Sequence, residues 1–220
     1  MNDLSITQEY LLCALNERGK ISGFSTEKLV CLVAGGLFEL QLENCITVEK
    51  KSVTVVNELP ESMSYLKPLY EYIKSYGTVK IDKILDSYMF SFTDRELNSL
   101  IVSIGNALEK SGSVKSEKSG LLGEKKVYIP FSEAINGVID KVRAEIMESG
   151  PVTDETILLV ILLDKSKCIK TYFSKFEQKE IKASLTEIID SSAEKKVKYM
   201  IDTIEGIIAV ISATAASTVH

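Results

Sequence analysis

The chain has 220 residues, of which 45% are hydrophobic and 26% are charged, a composition typical of a soluble globular protein with a sizeable core. Its net charge of −5 at pH 7 argues against nucleic-acid binding, because proteins that bind phosphate backbones present a basic face. The only histidine is His220. Histidine-based nucleophiles and histidine-rich metal sites are therefore not expected, and we expect neither a cofactor nor a metal.

The cysteines indicate a reducing compartment. They are scattered without a C-x-x-C pair, and three of the four lie in apolar runs, where a thiol behaves as a small hydrophobe. The segment Asn2–Glu9 is polar, so no signal peptide is visible and we expect a cytoplasmic protein. The four residues are Cys13, Cys31, Cys45 and Cys168.

The first two predicted helices lie on either side of a glycine-containing loop. Ser5 and Gln8 have the spacing of a capping box, which predicts a helix from there to about Leu15. The loop Asn16–Phe24 follows, and Ser25 or Thr26 is expected to cap the next helix.

That second helix, Glu27–Leu42, is apolar on nearly all sides. Such a helix is buried by its neighbours, and with about sixteen residues it is too short and too interrupted to span a bilayer. We therefore predict a central core helix that other helices surround.

The middle of the chain predicts a hairpin and then three helices. The β-branched segment CITVEKKSVTVV has two lysines near its turn and predicts a short hairpin. Helical spacing predicts a helix over Tyr65–Tyr76, with Pro68 in its first turn and Gly77 at its end. A short helix is predicted over Val79–Ser87, and a capping box at Thr93 and Glu96 predicts another helix through Lys110.

The last part predicts a second hairpin followed by further helices. The hairpin is Gly112–Pro130, and the predicted helices are Glu133–Met147, a segment capped by Thr153, Phe176–Ile189 and Ala193–Ala216. The uncharged run Gly206–Val219 is too short for a membrane helix, and we expect it to pack in the core. The prediction is a mainly α fold: a single globular helical domain over residues 1–220, around a buried apolar central helix, with two short β-hairpins.

The loop before the central helix is the first candidate site. Arg18, Gly19 and Lys20 do not form a phosphate-binding P-loop, because Ile21 follows the lysine and the loop joins two helices. Two cations and the aromatic Phe24 nevertheless precede a helix N-terminus, which favours anions. The alternative is a solvated loop with Phe24 packed inward.

A second candidate is the carboxylate pair Glu39 and Glu43, which is spaced by one helical turn. Such a pair can perform acid–base chemistry, but no histidine, metal cluster or nucleophile accompanies it. A buried Glu39 held by a lysine or by backbone N–H groups is the favoured interpretation. We therefore predict no enzymatic activity.

The second hairpin is the third candidate. Leu121 and Leu122 lie between glycines and are surrounded by lysines, and four lysines against two glutamates give Gly112–Pro130 a net charge of +2. Leucines in this setting predict either insertion into an anionic membrane or burial against a partner subunit. The lysines are Lys115, Lys118, Lys125 and Lys126.

Five segments, in this order, resemble the Golgi phosphoprotein 3 family: LSITQEYLLCALNERGKISGF, LFELQLENCI, LEKSGSV, SGLLG and TILLVILLDKS. The resemblance covers nearly the whole chain. It implies a single, mainly α-helical domain that binds membranes from the cytoplasmic side. Eukaryotic members recognise phosphatidylinositol 4-phosphate in a surface pocket, adapt glycosyltransferases for Golgi retention and oligomerise partly through the hairpin.

The residues that the family uses in that pocket are only partly matched here. Phe24 lies where the family has a tryptophan, and Val33, Leu97 and Leu100 lie where it has arginines. Arginine forks bind a phosphomonoester in a bidentate manner, so their absence removes the basis for phosphoinositide specificity and indicates a bacterial member. As headgroup ligands we instead hypothesise three other cations: Arg18, Lys20 and Lys28.

The favoured prediction is a non-enzymatic peripheral membrane protein on the cytoplasmic face. Its expected partners are an anionic lipid, a second copy of the chain bound through the hairpin, and a client protein. The alternative is a soluble oligomeric adaptor or protein-interaction module that uses the Gly112–Pro130 hairpin.

Overall fold

The computed structural model describes residues 4–21, 26–89, 94–119, 125–148, 152–191 and 206. Within these ranges the chain is mainly helical, with two small antiparallel sheets, as predicted. The helices are α1 (Ile6–Ala14), α2 (Thr26–Leu42), α3 (Lys67–Tyr76), α4 (Ile81–Met89), α5 (Arg95–Lys110), α6 (Ser132–Met147), α7 (Asp154–Lys165), α8 (Ile169–Tyr172) and α9 (Lys175–Ser191), with a 3-10 helix at Glu61–Leu66. The strands are β1 (Ile46–Glu49), β2 (Ser52–Val55), β3 (Thr78–Lys80), β4 (Val114–Ser119) and β5 (Lys125–Pro130).

Helix α2 is the buried centre of the fold, as its all-round apolar sequence predicted. Every residue from Val30 to Leu40 is buried, and α1 and α7 pack against the helix. Its two glycines allow close approach of neighbouring helices. A Cβ at Gly35 would lie 3.2 Å from Leu162 Cδ1 of α7, and one at Gly36 would lie 2.9 Å from Leu69 Cδ2 of α3.

The first sheet has one strand more than predicted. Strands β1 and β2 form the expected hairpin, and β3 pairs antiparallel with β2 so that Val79 lies opposite Val53 in the core. The predicted helix over Val79–Ser87 is therefore wrong in its first residues, because α4 begins only at Ile81. Pairing with β2 decides the conformation of Thr78 and Val79, which as β-branched residues suit a strand.

The predicted helix caps are confirmed in two places and wrong in one. The Ser5 hydroxyl accepts a hydrogen bond from the Gln8 N–H while the Gln8 side chain accepts one from the Ser5 N–H, which completes the capping box. Thr153 caps α7. At α5 the cap is Asp94, in a left-handed conformation, instead of the predicted Thr93, which lies outside the described residues.

The second hairpin forms as predicted, with β4 and β5 paired in register from Val114 opposite Pro130 to Ser119 opposite Lys125. Residues 120–124 lie outside the described part of the chain, so the predictions for Leu121 and Leu122 fall there. The predicted C-terminal helix at 193–216 also lies outside it, apart from Gly206.

The cysteines are buried free thiols, in agreement with a structural role. Burial raises the pKa of the Cys31 thiol to about 12, which keeps it protonated. Among the residues that the structure describes, no helix has the length and apolar character needed to cross a membrane.

Candidate functional site

The second hairpin is fastened to α5 by a tyrosine that lies over a glycine. Tyr128 of β5 is almost fully buried, and a Cβ at Gly105 would lie 2.5 Å from Cδ2 and 2.6 Å from Cγ of its ring. Only a glycine leaves room for the ring at this distance. The Tyr128 hydroxyl lies 2.8 Å from Asn106 Oδ1 and 3.1 Å from the Val102 carbonyl oxygen. The strand is thus held against one side of the helix by packing and by hydrogen bonds.

Lys126 reinforces this attachment. Its Nζ lies 2.7 Å from Glu109 Oε2 and 2.8 Å from Asn106 Oδ1. The hydrogen bond between Lys126 and Glu109 raises the pKa of the lysine and lowers the pKa of the glutamate. The ammonium group of Lys126 is therefore bound to α5, although the sequence placed it among the lipid-facing lysines.

Two other hairpin lysines are exposed and unpaired. The side chains of Lys118 and Lys125 are exposed and have no ion-pair or hydrogen-bond partner in the described part of the chain. Lys115 differs from them, since its Nζ lies 2.9 Å from Glu117 Oε1. Within the described residues, two positive charges of the hairpin thus have no acidic partner.

The loop between α1 and α2 lies directly against this hairpin. Gly19 adopts a left-handed φ of 67°, and a Cβ there would lie 2.7 Å from the carbonyl carbon and oxygen of Tyr128. The glycine is therefore required both by its own backbone conformation and by the neighbouring strand. This contact links two candidate sites that are far apart in the sequence.

The same loop is held in shape by Asn16. Its side-chain Oδ1 accepts hydrogen bonds from the N–H groups of Arg18 at 2.9 Å and Lys20 at 3.2 Å. Its own N–H donates to the Lys20 carbonyl oxygen at 3.0 Å. The side chains of Arg18 and Lys20 are exposed, and neither has a partner among the residues that the structure describes.

We use the term basic surface for four exposed cations, Arg18 and Lys20 of the loop and Lys118 and Lys125 of the hairpin. Lys118 pairs with Lys126 and Lys125 pairs with Ser119, so the two hairpin lysines lie on opposite faces of the β4–β5 ribbon. Arg18 and Lys20 flank the glycine that contacts Tyr128, and Lys125 lies three residues along β5 from that tyrosine. At about 3.3 Å per residue, that separation is about 10 Å along the strand. The contact of Gly19 with Tyr128 thus places the loop that carries Arg18 and Lys20 beside the hairpin strand.

Other predicted headgroup residues are placed differently. Lys28 is half-buried, and its Nζ lies 3.4 Å from the Ala14 carbonyl oxygen, where a cation is favourable at the C-terminus of α1. Phe24 lies outside the described residues. The positions aligned with the family's arginines are buried in the apolar core, since Val33 and Leu100 are 0% exposed and Leu97 is 8% exposed.

Glu39 is a buried structural carboxylate. Its Oε2 accepts hydrogen bonds from the Thr7 N–H at 3.0 Å and the Thr7 hydroxyl at 2.6 Å, and its Oε1 accepts one from the Tyr65 hydroxyl. Burial raises the pKa of Glu39, an effect that the Thr7 hydrogen bonds partly offset. Of the two predicted partners, a lysine or backbone N–H groups, the structure confirms the backbone N–H group, and two hydroxyl groups accompany it.

The sequence reasoning missed Gly105, Tyr128 and Asn16, which position the basic surface. A glycine inside the helical pattern of α5 was a signal of close packing, because glycine lowers helix stability unless something requires it. No local pattern indicated that Tyr128 would be its partner.

The fold and this surface define a class of protein. It is mainly α-helical, its basic β-hairpin is fixed to one helix, and a basic loop from another part of the chain contacts that hairpin. The family model described as Golgi phosphoprotein 3 (GPP34) matches residues 6–204, nearly the whole chain. The chain therefore belongs to the Golgi phosphoprotein 3 family, as the five segments indicated. No curated protein matches it.

Proposed function

We propose that this chain is a non-enzymatic peripheral membrane protein that binds anionic lipid headgroups through the basic surface. The observation that carries the proposal is the contact of Gly19 with the Tyr128 backbone, since it places the loop that carries Arg18 and Lys20 beside the hairpin. These four exposed cations have no acidic partner among the described residues, in a chain whose net charge is −5. Membership of the Golgi phosphoprotein 3 family supports a membrane-associated role.

The expected affinity of one copy is modest. Each cation near an anionic surface contributes about 1 kcal/mol, so four contribute about 4 kcal/mol, which corresponds to a dissociation constant of about 1 mM. Insertion of Leu121 and Leu122 would add roughly 3–5 kcal/mol. Several copies acting together would bind firmly, so the proposal includes self-association through the hairpin.

We propose that the basic surface recognises negative charge in general and not one particular lipid headgroup. A phosphomonoester is bound most specifically by paired arginine forks, and Arg18 is the only arginine of the basic surface. We therefore expect phosphatidylglycerol and phosphatidylserine to be bound about as well as phosphatidylinositol 4-phosphate at equal surface charge.

Vesicle flotation tests the proposal. We compare the wild type with a Lys118→Gln/Lys125→Gln variant on phosphatidylcholine vesicles with and without phosphatidylglycerol. Removal of two surface lysines is expected to weaken binding by about 2 kcal/mol, or about 30-fold, and added salt should weaken the wild type. The matched control is Lys175→Gln/Lys179→Gln, which removes two exposed lysines from α9. This control variant has the same net charge as the hairpin variant.

Two results would overturn the proposal. One is wild-type binding that does not depend on phosphatidylglycerol, and the other is an equal loss of binding in the hairpin and α9 variants. If vesicles are not bound and the hairpin variant instead dissociates an oligomer in size-exclusion chromatography, the interaction-module function replaces the lipid function.

A further inference from the structure

A cavity separate from the basic surface lies between the N-terminus of α1, the 3-10 helix and the C-terminal end of α5. Its volume is about 290 Å³, close to the lower limit of about 300–1,000 Å³ for small-molecule sites. Polar side chains from all three elements line it, among them Gln8, Ser62, Tyr65 and Lys110.

Hydrogen-bond donors dominate this lining. The Gln8 carbonyl oxygen is used by the Ser5 N–H, which leaves the side-chain amide N–H groups for another acceptor. The Lys110 ammonium group, the Ser62 hydroxyl and the Gln8 amide nitrogen have no partner within the described residues. Among the described residues that line the cavity there is no carboxylate.

One lining residue, Tyr65, is bound to the buried carboxyl group of Glu39. The Tyr65 hydroxyl donates to Glu39 Oε1, so the phenol ring forms a fixed part of the wall and its donor is already used. Two N-terminal donors of α1 are likewise used, since the Thr7 N–H binds Glu39 and the Gln8 N–H binds Ser5. Recognition of a ligand therefore falls to the side chains of Gln8, Ser62 and Lys110.

We propose that this cavity binds the anionic group of a small molecule, a phosphate or a carboxylate, which pairs with Lys110 and accepts hydrogen bonds from Gln8 and Ser62. An ammonium group beside two neutral donors, with no competing carboxylate among the described lining residues, matches the chemistry of an oxyanion. This binding is independent of the basic surface and of vesicle binding.

The test is a titration of the full chain, labelled with ¹⁵N, with inorganic phosphate and separately with acetate, followed by ¹H–¹⁵N spectra. We expect saturable shifts of the Ser5, Gln8, Ser62 and Ser111 amide signals with at least one of the two anions. The anion that binds more tightly identifies the ligand group. Lys110→Met should weaken that binding by about tenfold or more, the loss expected for one charge-assisted hydrogen bond.

Controls separate this site from general attraction of anions. Lys179→Met removes an exposed lysine of α9 and should leave the shifts unchanged, while Ser62→Ala should weaken binding to a smaller extent than Lys110→Met. Lys110 and Ser62 are exposed, so neither change threatens folding. The proposal is overturned if neither anion gives saturable shifts, if Lys110→Met leaves them unchanged, or if the shifts occur only around Arg18 and Lys20.

Discussion

Replacement of Gly105 by alanine tests how the hairpin is fixed to the helical body. The new Cβ would lie 2.5 Å from Tyr128 Cδ2, whereas carbon atoms in favourable contact are about 3.5–4.0 Å apart. The ring must therefore move by about 1 Å or more. Overpacking of this kind costs about 1–3 kcal/mol, and loss of the Tyr128 hydroxyl hydrogen bonds adds about 1 kcal/mol. We expect Gly105→Ala to lower the free energy of unfolding by about 2–4 kcal/mol.

The measurement is urea unfolding of a double-mutant cycle between Gly105→Ala and Tyr128→Ala. Tyr128→Ala alone should cost about 3–5 kcal/mol, because it removes a large buried ring. In that background the clash is gone, so Gly105→Ala should stabilise the protein by up to about 1 kcal/mol through helix propensity. Hydrogen exchange of the β4 and β5 amides should be faster in the Gly105→Ala single variant than in the wild type. The reasoning is refuted if Gly105→Ala alone leaves the free energy of unfolding unchanged. It is also refuted if the substitution lowers that free energy equally in the wild-type and Tyr128→Ala backgrounds.

Three further substitutions, each at a polar side chain, are tested by unfolding measurements. The Tyr88 hydroxyl is buried and, within the described residues, has no hydrogen-bond partner, so Tyr88→Phe should raise the free energy of unfolding by about 1 kcal/mol, and a loss would contradict this. Ser5→Ala removes the capping hydroxyl of α1 and should cost about 1 kcal/mol, whereas an unchanged midpoint would show that the cap contributes nothing. Because burial raises the pKa of Glu39 in the folded state, its contribution to stability is fully present below about pH 4.5 and is lost as pH rises through the raised pKa. The stability of the wild type relative to Glu39→Gln should therefore fall as pH rises, and a difference that is constant with pH would be contrary to expectation.

Features that depend on neighbouring residues were predicted well from the sequence. The all-round apolar pattern of α2 predicted its burial, and the spacing of Ser5 and Gln8 predicted the capping box. The hairpins follow from alternating β-branched residues and glycines, and the family follows from the order of five segments.

Features that depend on tertiary contacts were not predicted. Strand β3 exists because Val79 pairs with Val53 of β2, which no local pattern reveals. Glu39 is satisfied by two hydroxyl groups that lie 32 and 26 residues away in the chain, where the sequence allowed a lysine. Propensity and periodicity describe single elements, whereas these contacts are decided by how the elements pack.

The candidate site shows the same division. Arg18, Lys20, Lys118 and Lys125 were named from charge alone, whereas the position of the loop beside the hairpin rests on the contact of Gly19 with the strand. The sequence also counted Lys126 as available, because it contains no sign that Glu109 on α5 faces that lysine.

The account rests on the claim that the loop and the hairpin act as one anion-binding surface. The most direct measurement is the affinity of an Arg18→Gln/Lys20→Gln variant for phosphatidylglycerol-containing vesicles, beside the hairpin variant and the α9 control. The account predicts that the loop and hairpin variants each lose about 30-fold and that the control loses nothing. A loop variant that binds like the wild type while the hairpin variant fails would contradict it.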